Sequence, residues 1–242
     1  MKSIQVLIYL CLISGFFACE TTQKNENSDD NVGGQAVVMN EDIKVQKSVA
    51  MEDANFLATW DAIIPKPGSK APDFTLFSKE GQVFNLYEEL KGGKPVLLVN
   101  GSYTCDLAQS SLQNLNQLFS KYSDKINFNL IYTVEAHPFD AVSPYSMDNK
   151  IWVKEQNQLN NIESKKPVKY SDRVKNAFLW DEKFNILPRI LIDSPENTFW
   201  TTYGQSPNMV LLIKPNGEVY YRQMVFSGEL LELKLIEFLG LG

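Results

Sequence analysis

The chain of 242 residues has a single histidine, His137, and only three cysteines, two of which, Cys11 and Cys19, fall in the first twenty residues. A zinc site built on several imidazoles is excluded, and so is a disulfide framework. Beyond residue 20 the only thiol is Cys105. Basic charge is also scarce: 23 Lys and Arg stand against 29 Asp and Glu, a net of −6, with no Lys/Arg-rich run. Electrostatically driven nucleic-acid binding is not expected from such a chain. The apolar run Ile4–Ala18, broken by Gln5 and Ser14, falls short of the about 20 residues that a spanning helix needs. With Lys2 in front of it, the run has the form of a signal-peptide core. What remains is 44% hydrophobic and 12% aromatic, enough for one sizeable core but not comfortably two.

Phe16-Phe17-Ala18-Cys19 resembles the lipobox of bacterial lipoproteins, in which a small residue precedes the cysteine that becomes lipidated and N-terminal. Phe16 departs from the usual Leu. The resemblance implies a signal peptide over residues 1–18, a lipid on Cys19, and a place on the cell envelope, on the periplasmic or outer-surface side. Ordinary cleavage after Ala18, leaving a free N-terminal thiol, is the alternative. Residues 19–67 are expected to form a flexible tether, because positions 20 to about 48 are mostly Glu, Asp, Asn, Gln, Lys, Ser and Gly and cannot offset the entropy of ordering. A short apolar cluster, Phe56, Leu57, Trp60, Ile63 and Ile64, closes at Pro65-Lys66-Pro67-Gly68 and predicts a turn or two of helix packed on the domain.

The folded domain is expected over residues 68–242. Phe74–Phe77 and Gln82–Asn85 flank Gly81 as a hairpin. Pro95–Asn100 is an apolar run of strand length, suited to burial on both faces. Leu112, Leu115, Leu118 and Phe119 form a helical stripe. Ile126–Val134 predicts a strand, Asp172–Phe184 a helix and Arg189–Asp193 a strand. Met209–Ile213 and Val219–Gln223 pair across Pro215-Asn216-Gly217, and Ser227 caps a last helix carrying Leu231, Leu235, Phe238 and Leu239. The order predicts an α/β sandwich with a mixed central sheet. Trp60, Trp152, Trp180 and Trp200 are expected to serve packing, and Trp152–Lys169 to be an exposed insertion.

Cys105 follows the buried strand by five residues and opens the helix behind it. Unpaired N–H groups and the helix dipole favour a thiolate there, and the Thr104 hydroxyl offers a further donor. Asp106 opposes ionisation, but the helix terminus is expected to outweigh it and hold the thiol below its free value of about 8.5. Glu135 and His137 follow directly on the strand Ile126–Val134. Were that strand parallel to Pro95–Asn100, the thiol and the imidazole would meet at the edge where open α/β sheets bind ligands.

Gly68, Ala71-Pro72-Asp73-Phe74-Thr75-Leu76 and Gly81, leading to Cys105, resemble the redoxin branch of thioredoxin-like proteins. Gly101-Ser102-Tyr103-Thr104-Cys105 with Ile131–Asp140 is similar to the iodothyronine deiodinases, which carry selenocysteine where Cys105 stands and a Tyr-x-x-Glu-Ala-His-Pro-x-Asp stretch. The resemblance continues through Ser171-Asp172-Arg173-Val174, Asp193, Glu196-Asn197 and Tyr203-Gly204, roughly residues 68–238. It implies a thioredoxin-like three-layer sandwich with a mixed central β-sheet. It also implies a thiol-dependent oxidoreductase in which Cys105 attacks a soft electrophile. In that scheme His137, held by Glu135, gives a proton to the leaving atom, and Ser102 and Thr104 support the motif. Pro207 matches the cis-proline of that fold. Asp106-Leu107 stands where the animal enzymes have Pro-Pro, and Ala141-Val142 replaces Gly-Trp. A thioredoxin Cys-x-x-Cys pair would need a cysteine at Ala108, so internal dithiol exchange is excluded. An external thiol or thioredoxin-type reductant is then required, with no cofactor and no metal. A one-cysteine, antioxidant peroxidase shares every step except the electrophile, and a non-catalytic binding module of the envelope is the alternative from another class. A reactive thiol favours the enzymes, an inert buried one the module. The lipobox reading predicts that intact-mass measurement of membrane-purified protein finds a mature chain starting at lipidated Cys19; an unmodified Cys19 contradicts it.

Overall fold

Four apolar side chains in succession, Val96 to Val99, are all buried, which is possible only for a strand covered on both faces. The computed structural model, describing residues 41–53 and 55–242, places them in β3 (Val96–Gly101) near the middle of a seven-stranded sheet of order β2-β1-β5-β4-β3-β6-β7. The other strands are β1 (Thr75–Ser78), β2 (Val83–Asn85), β4 (Asn127–Tyr132), β5 (Arg189–Ile192), β6 (Val210–Ile213) and β7 (Val219–Gln223). β3, β4 and β5 run parallel; β1 is antiparallel to both β2 and β5, and β6 to both β3 and β7.

The period-two alternation of strands sorts side chains onto two faces. Leu97, Val99, Leu130, Ile190 and Leu212 pack with α4 (Asp106–Tyr122), α6 (Tyr170–Phe184) and α8 (Gly228–Leu239). Val96, Leu98, Ile131, Leu191 and Leu211 pack on the other side with α2 (Phe56–Ile63), α3 (Leu86–Leu90) and α7 (Thr198–Tyr203). The result is the expected three-layer α/β sandwich with a mixed central sheet. Helix starts follow local chemistry: Asn85 accepts from the Glu88 N–H at 2.9 Å, and Ser227 accepts from that of Leu230 at 3.5 Å.

Three expectations need correction. The tether does not extend to residue 48, nor does the body begin at 68. Residues 43–49 are strapped to the domain by Ile43, Lys44 and Ser48 N–H groups on the carbonyls of Val168, Pro195 and Pro144, and by Val49 N–H on Gln205 Oε1. Composition weighs side chains alone, whereas this strap offsets its ordering entropy through the backbone. It leads into α1 (Val49–Glu52) and α2, whose Trp60 and neighbouring Ile64 are buried as expected. Secondly, the stretch Trp152–Lys169 is not merely an exposed insertion: it carries α5 (Glu155–Leu159), and its Asn157 and Ile162 are buried. Thirdly, no peptide bond among the described residues is cis, so Ser206–Pro207 is trans, the isomer that an X-Pro amide favours by about 0.5–1 kcal/mol. The residues beside that bond are fixed by Asn100, whose amide donates to Ser206 O and accepts from Met209 N–H, both at 2.6 Å. Trp60, Trp180 and Trp200 are buried, as packing residues should be. The leader-like run and Cys19 lie outside the described residues, and among those described no helix is long and apolar enough to cross a membrane.

Gly101 ends β3 where α4 and α6 close in. A Cβ there would lie 2.7 Å from Ala108 Cβ and 2.8 Å from the Trp180 ring, both rigid. Gly101→Ala is therefore expected to destabilise the fold by about 1–3 kcal/mol through overpacking, read as a lower denaturation midpoint at unchanged slope.

Candidate active site

The parallel register pairs Gly101 with Tyr132 at the carboxyl ends of β3 and β4, so the chains leaving the two strands emerge side by side. They stay stitched together beyond the sheet. Thr133 N–H donates to Gly101 O at 2.9 Å, Ala136 N–H to Ser102 Oγ at 3.1 Å, and His137 N–H to Thr104 Oγ1 at 2.9 Å. Ser102 and Thr104 thus align the two loops. β6, antiparallel to β3, brings Ser206 and Pro207 to the same edge. Cys105 and His137 accordingly line one cavity of about 230 Å³ with Asp106, Tyr145, Trp152, Lys154, Pro207 and, from the strap side, Met51 and Phe56.

Cys105 caps α4, its sulfur accepting from Ala108 N–H at 3.4 Å, while its thiol faces Pro207 O at 3.6 Å. The residue is 1% exposed. Burial pushes the thiol up to about 12, against the N–H groups of Ala108 and Leu107 and with the added repulsion of Asp106 and Glu135. The expected thiolate is overturned. Desolvation of the charged sulfur exceeds the help of the helix terminus, and the Thr104 hydroxyl is committed elsewhere: it donates to Glu135.

Glu135 is not the partner of His137, contrary to expectation. It lies fully buried beneath the cysteine loop, where its Oε2 accepts from the Thr104 N–H at 3.0 Å and from the Thr104 hydroxyl. Those donors are the nearest relief for a carboxyl cut off from water. Burial raises Glu135 to about 7, opposed by the Thr104 hydrogen bonds and the Arg173 charge. Behind it, Arg173 is also buried and donates to Asp193 O and Ser194 O at 3.1 and 2.8 Å and to Asn197 Oδ1. Asn197 in turn donates to Val45 O of the strap.

His137 is held by two groups that the sequence reading did not identify. Nδ1 lies 2.8 Å from Trp152 O; a carbonyl only accepts, so Nδ1 carries the proton and Nε2 is the titrating atom. Nε2 lies 3.4 Å from Asp106 Oδ1. Lys154 Nζ holds the other Asp106 oxygen at 2.9 Å and sits 4.3 Å over the Trp152 ring, which meets His137 edge-on. Burial keeps His137 below its ordinary value, opposed by Trp152 O and Asp106 and aided by Lys154. The signal for Trp152 was the run Ile151-Trp152-Val153 inside a polar stretch; none marked Tyr145 or Asn157, whose Nδ2 donates to Thr104 O at 2.7 Å. Among the described residues no group of three or more His, Cys, Asp or Glu converges as a metal site.

A sequence profile of the iodothyronine deiodinases matches residues 37–228, taking in the strap as well as both loops. The chain belongs to the iodothyronine deiodinase family. Type I iodothyronine deiodinase of Xenopus laevis is 24% identical over 155 residues, 64% of this chain and 55% of that one. The chain thus spans little more than half the length of that relative. Similar solved structures include a protein described as the thiol:disulfide interchange protein DsbE of Chlorobium tepidum, with 21% identity, TM-score 0.49, and 72% and 97% of the two chains covered. Another is a secreted Mycobacterium tuberculosis disulfide oxidoreductase, with 15% identity, TM-score 0.45, and 68% and 95% covered.

The Glu135 clasp has a pH signature. Glu135 ionises near 4.5 in an unfolded chain and near 7 here, so the native state binds the extra proton in that window and its stability falls as pH rises across it. Glu135→Gln is expected to flatten that slope in a denaturation series. Glu135→Ala, leaving buried Thr104 donors unpaired, is expected to cost about 1–3 kcal/mol.

Proposed function

We propose that the protein is a thiol-dependent oxidoreductase of deiodinase-like chemistry with Cys105 as its nucleophile. The observation that carries this reading is the shared cavity at the β3/β4 edge, where His137, protonated on Nδ1, turns Nε2 toward Asp106 beside the sulfur. A buried neutral thiol is what an inert scaffold would also hold. Membership of the deiodinase family and an imidazole fixed in its base tautomer favour the enzyme over the binding module.

The elevated thiol and depressed imidazole set the order of steps. Neutral His137 accepts the Cys105 proton at Nε2, and Asp106 stabilises the imidazolium. The thiolate then attacks the halogen of an aryl iodide: the S–I bond forms, the C–I bond breaks, and the carbon takes the proton from His137. Sulfur has lost two electrons to carbon. A first external thiol displaces iodide to give a mixed disulfide, and a second, in its thiolate form, releases Cys105 and the oxidised reductant. Cys105 is the only cysteine among the described residues, which supports an outside reductant, a small thiol or a thioredoxin-type protein. Glu135 is a positioning residue here, acting through Thr104.

A second reading is a one-cysteine peroxidase, in which sulfur takes the distal oxygen as sulfenic acid and the alkoxide takes the proton. The 1% exposure of Cys105 and a cavity of about 230 Å³ favour such a small electrophile. We also propose an envelope location with a lipid on Cys19, supported by the leader-like run before it.

Mass spectrometry of Cys105 after separate exposure to peroxide, iodinated phenols and disulfides, with turnover under excess thiol, tests the reading and chooses the electrophile. Turnover is expected to vanish in Cys105→Ser and to fall about 10²–10⁴-fold in His137→Ala; retention in both overturns these two roles, and a wild-type protein that turns over none of the three probes returns to the binding-module class. Because His137 must start neutral, the acid limb of kcat/KM is expected below pH 6.5. Asp106→Asn should move it lower, and Lys154→Met higher.

A further inference from the structure

We propose that Met51 is a specificity-determining residue: its bulk limits the Cys105 cavity to an apolar electrophile the size of one substituted aromatic ring. The inference rests on the reading of Cys105 as nucleophile.

Cys105 is 1% exposed and lines a cavity of about 230 Å³. An apolar cavity of about 150 Å³ takes benzene, whereas drug-sized ligands fill about 300–1,000 Å³. The space beside the sulfur therefore suits one ring with a substituent and falls short of two linked rings. Apolar side chains, among them Leu107, Trp152 and Val225, supply much of its lining, and Asp106 and Lys154 neutralise each other at 2.9 Å.

A second cavity of about 380 Å³ adjoins the first and reaches Met147 and Ile151. Three residues line both spaces and so form the wall between them: Met51, Tyr145 and Trp152. Two of the three are fixed by polar contacts. The Tyr145 oxygen accepts from Trp200 Nε1 at 2.9 Å. The Trp152 carbonyl accepts from His137 Nδ1 at 2.8 Å, and Lys154 sits over the Trp152 ring. The Met51 side chain has only packing to hold it, against the core on the α4 side of the sheet.

The backbone that carries Met51 is tied to both sides of the cavity. Ser48 N–H donates to Pro144 O at 3.0 Å, just before Tyr145, and Val49 N–H donates to Gln205 Oε1 at 2.8 Å, just before Ser206. The strap thus bridges the two sides and sets Met51 between them. A thioether chain is unbranched and adaptable, so the size limit depends on its volume and on no bond that it makes. Shortened to alanine, it opens the first space into the second, and a two-ring molecule then fits with its reactive end at the sulfur.

The test is alkylation of Cys105 in the full chain by N-phenyl and N-(biphenyl-4-yl) iodoacetamide, with iodoacetamide itself as the small reference. Each rate is read by mass spectrometry and normalised to that of free cysteine. The ratio of the two ring reagents cancels any change in the ionisation of the thiol, which a merely structural disturbance would alter. In the wild-type protein the second ring is expected to slow the reaction by about tenfold or more, the scale on which a packed apolar pocket rejects excess bulk. Met51→Ala is expected to remove most of that difference, and Met51→Leu, which conserves volume, to keep it. A folded Met51→Ala protein with the wild-type ratio overturns the proposal. So does an equal loss of discrimination in Met51→Leu, since volume would then not be the cause. If Met51→Ala does not fold, Met51→Val is read in its place, and an unchanged ratio there overturns the proposal. A wild-type Cys105 that none of the three reagents modifies overturns the nucleophile reading and this inference with it. A wild-type Cys105 that reacts with both ring reagents at one rate overturns this inference alone.

Discussion

Parallel pairing of β3 with β4 is the constraint on which the site depends. Parallel strands send their carboxyl ends to one edge, and the register Gly101↔Tyr132 leaves the two following loops level with each other. From there the hydrogen-bonding groups of Ser102, Thr104, Ala136 and His137 continue the pairing without a strand. A slip of one residue would reverse every side chain of β4 between the two faces and break this stitching. The central apolar run of β3, buried on both sides, makes such a slip costly.

At the sulfur, desolvation and local electrostatics oppose each other, and desolvation wins. An N–H at 3.4 Å and a helix terminus favour the charged form, but a site closed off from water raises the thiol to about 12. The helix contributes about 0.3–2 kcal/mol in such positions, whereas burial of an ionised group moves a pKa by up to several units, each about 1.4 kcal/mol. The site therefore holds a protonated thiol and, lining the same cavity, an imidazole kept below its ordinary value. Such an arrangement protects a lone cysteine from indiscriminate oxidation.

Beneath the site lie two sets of buried polar groups, Thr104 with Glu135, and Arg173 with Asn197, which reaches Val45 of the strap. Arg173 and Asp193 are both fully buried: Arg173 donates to the Asp193 backbone oxygen at 3.1 Å, and the Asp193 carboxylate accepts from the Phe199 and Trp200 N–H groups at 2.9 and 3.1 Å. Removing one member leaves a buried charge without its counterpart. The strap is thus part of the domain: it leads to Met51 and Phe56 at the cavity and is hydrogen-bonded through Asn197 to buried Arg173.

Periodicity and punctuation made most of the sandwich legible: the β3 run, the α4 stripe, the Pro215-Asn216-Gly217 turn and the Ser227 cap each report a local requirement of backbone and solvent. The scarcity of thiol and imidazole likewise singled out Cys105 and His137, since no other residues of their kind lie in residues 41–242. Partner choice was not legible. That Glu135 turns to Thr104, that Asp106 and Trp152 O hold His137, and that Ser206–Pro207 is trans are settled by distances between segments remote in the chain. The strap was misjudged because its anchoring is backbone hydrogen bonding, and the 151–162 segment because it is held by the Asn157 side chain on Thr104 O and by the burial of Ile162, none of which composition registers. The thiolate was misjudged because desolvation depends on how completely neighbouring segments close over a group. Residue type and spacing determine what chemistry a chain can perform; tertiary burial decides the protonation state in which it waits.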